Sequence, residues 1–136
     1  MLFRSAEPDD VDSVATALRE TEEEVGLDRR HIEVIGALPV YSTVSSYLIT
    51  PVVALVEPEF TLALDSFEVA QAFEVPLTYL MTPAHHRHHE IEFAGQRRRF
   101  LSMPWQDPTA GRQASEFFIW GATAAMLRNL YQFLSL

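Results

Sequence analysis

ALRETEEEVGL, residues 17–27, sets four glutamates within five positions and closes on a glycine and a leucine. On a helix each residue turns about 100°. Measured from Glu20, the side chains of Glu23 and Glu24 then lie about 60° to one side and about 40° to the other. The three carboxylates share one face, while Glu22 points elsewhere as solvated charge. Like charges at i and i+4 destabilise a helix by a few tenths of a kcal/mol, roughly, and the near basic neighbour is Arg19. Two readings compete. One is an acidic surface helix, which spacing alone favours; the other is a carboxylate cluster built for divalent cations such as Mg²⁺ or Mn²⁺, which take carboxylate oxygens.

Working outward, EPDDVDSVATALRETEEEVGL (7–27) reads as a helix with both ends marked. Asp10 and Asp12 are candidate N-caps, and Gly26 stands where a left-handed C-terminal residue is wanted. Val14, Ala17, Leu18, Thr21 and Val25 form the apolar stripe. Val14, Leu18 and Val25 lie more than about 100° from Glu20, so the stripe and the glutamate face are distinct.

Downstream, Ile32, Val34 and Ile35 predict a strand ending before Pro39. SSYLITPVVALVEP (45–58) suits a central strand, with an edge, bulge or break at Pro51. A short helical piece around Glu68–Phe73, a strand-like FEVPL (73–77) and a short helix over Leu77–Met81 follow. HHEIEFAGQRRRFLSMPW (88–105) predicts a hairpin turning at Ala94-Gly95, and PWQDPTAGRQ (104–113) a polar loop. From Phe117 to the end the pattern is a long amphipathic helix, with Trp120, Met126, Leu127, Leu130, Tyr131 and Leu134 available for a core. With no repeats or linkers, the expectation is one domain over 1–136, α+β or mixed α/β.

Composition narrows the function classes. Of 136 residues, 48% are hydrophobic and 21% charged, an ordinary globular balance. A formal charge of −9, from 19 acidic against 10 basic residues, argues against nonspecific nucleic-acid binding. It leaves room for an anionic substrate, because a bound metal inverts the local field. The absence of cysteine removes disulfides and thiolate metal sites. No apolar run approaches the roughly 18 residues of a membrane span, and MLFRSAEPDD turns acidic too early for a signal peptide. A soluble cytoplasmic protein is the default expectation.

RETEEEVGL (19–27) matches the R-E-U-x-E-E-x-G-U half of the Nudix box, U being a bulky aliphatic. Arg19, Glu20, Glu23, Glu24, Gly26 and Leu27 fit, and Thr21 is a mild departure. The chain resembles the coenzyme A pyrophosphatase branch of that superfamily, in this stretch and in VIGALPVYSTVSSYLITPVVALV, FEVAQAFEVPL and FFIWGATAAMLRNL. The resemblance implies an α/β fold, a Nudix-like α/β/α sandwich with a mixed β-sheet. It further implies metal-dependent hydrolysis of the pyrophosphate bond of coenzyme A or a related nucleoside diphosphate. The products would be 4′-phosphopantetheine and adenosine 3′,5′-bisphosphate. Glu20, Glu23 and Glu24 would be the ligands of Mg²⁺ or Mn²⁺, and Arg19 would orient a glutamate. Glu68 lies where the family often places a further acidic residue, as base or ligand; a surface glutamate is equally compatible with the sequence.

The first half of the box departs from the pattern. Its general form would set a glycine at Ser5 and a glutamate at Val11, and the branch's glycine pair would fall at Phe3 and Arg4; Asp10 stands near the missing glutamate. The expectation is therefore a fold lacking the usual N-terminal strands, a true start lying upstream, and an open sheet edge suited to pairing between two copies as a homodimer. Two rivals stand beside the enzyme: a non-catalytic binding or regulatory module of the same fold, and a structural protein with an acidic surface helix. His85, His86, His88 and His89 could form a metal tract, or a solvated loop beside the hairpin. Arg97, Arg98 and Arg99 could meet a phosphate, or serve an ordinary charged hairpin. Phe117 and Trp120 read as core.

Overall fold

A computed structural model of the chain describes residues 12–69 and 71–136. The candidate cap Asp10 and the departures at Phe3, Arg4, Ser5 and Val11 lie outside the described residues. The chain divides into two compact units, Met1–Phe73 and Glu74–Leu136. In the first, helix α1 (Ser13–Val25) begins at Asp12, whose side chain accepts the Ala15 N–H, and ends at Gly26 in the left-handed region, φ 67°. Both ends fall where the capping residues put them. Val14, Ala17, Leu18, Thr21 and Val25 are half-buried, and Leu27, just past the cap, is buried.

Strand β1 (Ile32–Ala37) pairs antiparallel with β4 (Val52–Val56), from Ile32 against Val56 to Ala37 against Val52. A bulge at Ile35 shifts the register between Val34 and Gly36. Between them, β2 (Tyr41–Ser42) and β3 (Leu48–Ile49) form a short hairpin. The run 45–58 is thus not a central strand. Pro51 lacks the N–H a ladder needs, so the run breaks between β3 and β4, and β4 pairs with β1 alone among the described residues. Helix α1 lies against β4. The segment around Glu68 is a tight turn over residues 66–68, not a helix, and FEVPL is irregular.

The second unit opens with the short helix α2 (Leu77–Leu80), followed by a three-stranded antiparallel sheet of β5 (Arg87–Phe93), β6 (Gln96–Gln106) and β7 (Glu116–Trp120). The β5–β6 hairpin turns at Ala94-Gly95, both at positive φ (52° and 75°), as the two-residue turn requires. The expected C-terminal helix is corrected at its start: Glu116–Trp120 is a strand paired with Ser102–Gln106, and the helix α3 is Gly121–Leu134. Gly121, at φ 64°, makes the abrupt change of direction from strand to helix. Met103, Trp105, Ala124 and Met126 supply the buried apolar side chains between sheet and α3. Trp120 and Leu134 are not core; they are 57% and 58% exposed. The mixed α/β class holds, every ladder among the described residues being antiparallel. No helix among the described residues is long and apolar enough to cross a membrane.

Candidate functional site

Helix α1 positions the acidic residues, and its neighbours decide which of them are neutralised. Arg19 donates from Nη1 to Glu23 Oε2 at 3.0 Å, one helical turn on. The guanidinium is the more sheltered partner, 18% exposed against 49% for Glu23, so it braces Glu23 while leaving that carboxylate open to solvent. Glu22 faces away from the other three, as its angular position requires. It is paired rather than merely solvated: Arg29 Nη2 and Nε donate to Oε2 at 2.8 and 3.3 Å, and the Arg29 N–H to Oε1 at 3.3 Å. The Arg29 side-chain hydrogen bonds, then its backbone N–H, hold the Glu22 carboxyl below its ordinary range.

Glu20 and Glu24 are half-buried, unlike a plain surface face. Each has its Oε1 shut off from solvent, and Oε1 of Glu24 accepts no hydrogen bond among the described residues. A carboxylate oxygen in that state costs about 1–3 kcal/mol or more. Among the described residues, no three His, Asp or Glu side chains already converge into a metal cage. The glutamates share a face without meeting at one point.

A second element joins this helix end. The Ala63 N–H donates to the Val25 carbonyl and the Asp65 N–H to the Glu24 carbonyl, each at 2.8 Å. These carbonyls belong to the last turn of α1, where the helix itself supplies no partner. The chain then folds back: Glu68 and Val69 donate their N–H groups to the Asp65 carbonyl at 3.1 and 2.7 Å. The structure so ties the turn bearing Glu68 to the end of α1. Asp65 and Ala63 were not singled out in the sequence, although Asp65-Ser66 carries the ordinary signal of a side chain that closes a turn on its own backbone.

His85, His86, His88 and His89 belong to the second unit, and three of them serve its packing. His85 Nδ1 lies 2.8 Å from the Tyr79 carbonyl, His86 Nε2 2.6 Å from the Leu80 carbonyl, and His89 Nε2 2.6 Å from Ser102 Oγ. His86 is 6% exposed and takes a further bond from Arg128. His85, His86 and His89 thus join α2, the sheet and α3 rather than lying in a solvated loop, while His88 is exposed on β5; no three metal-ligating side chains converge among the described residues. Arg99 pairs with Glu90 at 2.7 Å, and the Arg98 guanidinium sits 5.9 Å from the Phe93 ring centroid, which is the charged-hairpin reading.

No family model matches the chain. It is 34% identical over 127 residues to a Photorhabdus laumondii protein named uncharacterized Nudix hydrolase NudL, covering 93% of this chain and 63% of that protein. Two Escherichia coli proteins of the same name are each 33% identical. One, from strain IAI39, aligns over 130 residues, 94% of this chain and 63% of its own length; the other, from K12, over 121 residues, 89% and 58%. The chain thus spans about three fifths of the length of these curated relatives.

Proposed function

The chain belongs to the Nudix superfamily, and from that premise we propose that it hydrolyses the pyrophosphate bond of coenzyme A or a related nucleoside diphosphate. The products are 4′-phosphopantetheine and adenosine 3′,5′-bisphosphate, or their counterparts. The observation that carries this reading is the carboxylate of Glu24, with one oxygen buried and unpartnered among the described residues on the helix face it shares with Glu20 and Glu23. An anionic oxygen held out of water without a hydrogen-bond partner among the described residues suits a hard dication, Mg²⁺ or Mn²⁺. Glu20, Glu23 and Glu24 would hold it. Such an ion supplies positive charge beside the pyrophosphate and acidifies water.

The chain's own groups do the rest. Arg19 fixes the Glu23 carboxylate in one orientation through its 3.0 Å bond, which is positioning of the kind that dominates phosphoryl chemistry. Glu68, brought to the end of α1 by the backbone bonds of Ala63 and Asp65, takes a proton from the attacking water or adds a further oxygen ligand. The charge of −9 supports a small-molecule substrate over nucleic acid.

The test is hydrolysis of coenzyme A by the 136-residue chain with Mg²⁺ or Mn²⁺, beside Glu23→Gln. Metal-dependent release of both products, abolished in the variant, is expected. Turnover indifferent to Glu23→Gln, or none on coenzyme A, its acyl forms or other nucleoside diphosphates, sinks the reading. One observation favours a second reading, a module that binds without turnover: the metal-ligand side chains among the described residues do not converge. Mn²⁺ binding without hydrolysis selects it.

A further inference from the structure

We propose that Asp65 is a positioning residue that sets Glu68 against the metal-binding end of α1; this rests on the function proposed above. Asp65 bonds to both the end of α1 and the turn that carries Glu68. Its N–H donates to the carbonyl of Glu24, itself a candidate ligand, at 2.8 Å. Its Oδ1 accepts the Phe67 N–H at 3.0 Å, and its carbonyl accepts the N–H groups of Glu68 and Val69. Glu68 and Val69 are half-buried, but side-chain packing does little at the tip of this turn. Ser66 is exposed, and Phe67, the largest side chain on it, is 98% exposed. At this exposed tip the polar bonds help set the backbone path, and the carboxylate of Asp65 bonds inside the turn to the Phe67 N–H. Removing Oδ1 leaves the Phe67 N–H to water and frees the segment between the Glu24 anchor and Glu68. An asparagine keeps an acceptor oxygen at the same place, so charge and hydrogen bond are separable.

The probe is Mn²⁺ alone, titrated into the full chain and followed by the electron paramagnetic resonance of the free ion, with amide hydrogen exchange of residues 66–69 on the same samples. Asp65→Ala is expected to weaken Mn²⁺ binding by about tenfold, as loss of a group that orients a ligand does, and to match Glu68→Gln. The double variant is expected to add nothing to either single change. Exchange at Phe67, Glu68 and Val69 speeds up in Asp65→Ala, while Asp65→Asn keeps wild-type exchange and affinity. With coenzyme A, Asp65→Ala lowers kcat and leaves KM nearly unchanged. Wild-type Mn²⁺ binding that Asp65→Ala leaves intact, additive losses in the double variant, or failure of Asp65→Asn to restore binding each overturns the role of Asp65 alone. A wild-type chain that neither binds Mn²⁺ nor turns over substrate overturns the underlying function instead.

Discussion

Gly26 and Ala63 approach so closely that no side chain fits between them. A Cβ on Gly26 would lie 2.6 Å from the Ala63 carbonyl oxygen, 2.7 Å from its Cβ and 2.8 Å from its nitrogen. The glycine ends α1 in a left-handed conformation, and it also admits the segment that carries Asp65 and Glu68. One residue therefore stops the helix and lets its second wall come near.

Gly26→Ala tests both roles together. The left-handed conformation alone costs an alanine about 1 kcal/mol, and two of the three close atoms are backbone, which no change of rotamer clears. A loss above about 2 kcal/mol and a fall in Tm of about 5 °C or more are expected. Gly36→Ala is the control, since a Cβ there meets nothing within 4 Å. Equal urea midpoints for the two variants would remove the close approach as a cause.

The pairing of Glu22 with Arg29 sets a pH dependence whose sign is fixed. The hydrogen bonds from Arg29 lower the folded-state pKa of Glu22 below its ordinary value. Stability from this group is therefore fully present above the unfolded carboxylate range, about pH 4.3, and is lost as pH falls through the folded value. The pair is exposed, so its contribution is small and screened by salt. The difference in urea midpoint between wild type and Glu22→Gln is expected to hold steady at neutral pH and close in acid. A gap that persists at low pH excludes the pair as its source.

His86 carries a prediction that needs no catalysis. Arginine only donates, so the 2.9 Å bond from Arg128 Nη1 makes His86 Nδ1 the acceptor and places the ring proton on Nε2, facing the Leu80 carbonyl. Long-range nitrogen–proton correlation at neutral pH should find that tautomer. Arg128→Ala leaves a buried acceptor unpaired and is expected to cost about 1–3 kcal/mol. The opposite tautomer, or a neutral effect of the variant, breaks this account of how α3 is joined to the segment after α2.

What was legible in the sequence was local. Asp12 and Gly26 bound α1 because caps act within one turn, and Ala94-Gly95 marked its hairpin because two successive positive φ values are a local demand. The face that Glu20, Glu23 and Glu24 share on α1 followed from helical geometry. What escaped depends on distant partners. EFFIW reads as easily helical as extended, and only pairing with Ser102–Gln106 makes it a strand. The half-burial of Glu20 and Glu24, the bond of Asp65 to Glu24 and the fit of Ala63 against Gly26 bring together residues far apart in the chain, which no window of sequence contains.

Glu24→Gln separates function from stability at one atom. In the metal-free chain the buried Oε1 is a charged oxygen without a hydrogen-bond partner among the described residues, and a neutral amide of the same shape relieves that cost. The variant is expected to be more stable than wild type without metal, by about 1 kcal/mol. Adding Mn²⁺ reverses the order. Wild type is expected to gain stability by mass action, about 2.7 kcal/mol at a hundredfold excess over Kd, and the variant, lacking the proposed anionic ligand, to gain less. Paired thermal melts with chelator and with saturating Mn²⁺ read both halves. If Glu24→Gln destabilises the metal-free chain, the carboxylate has a structural partner and its burial no longer points to a cation. If Mn²⁺ stabilises both proteins equally, the ion binds somewhere other than beside Glu24.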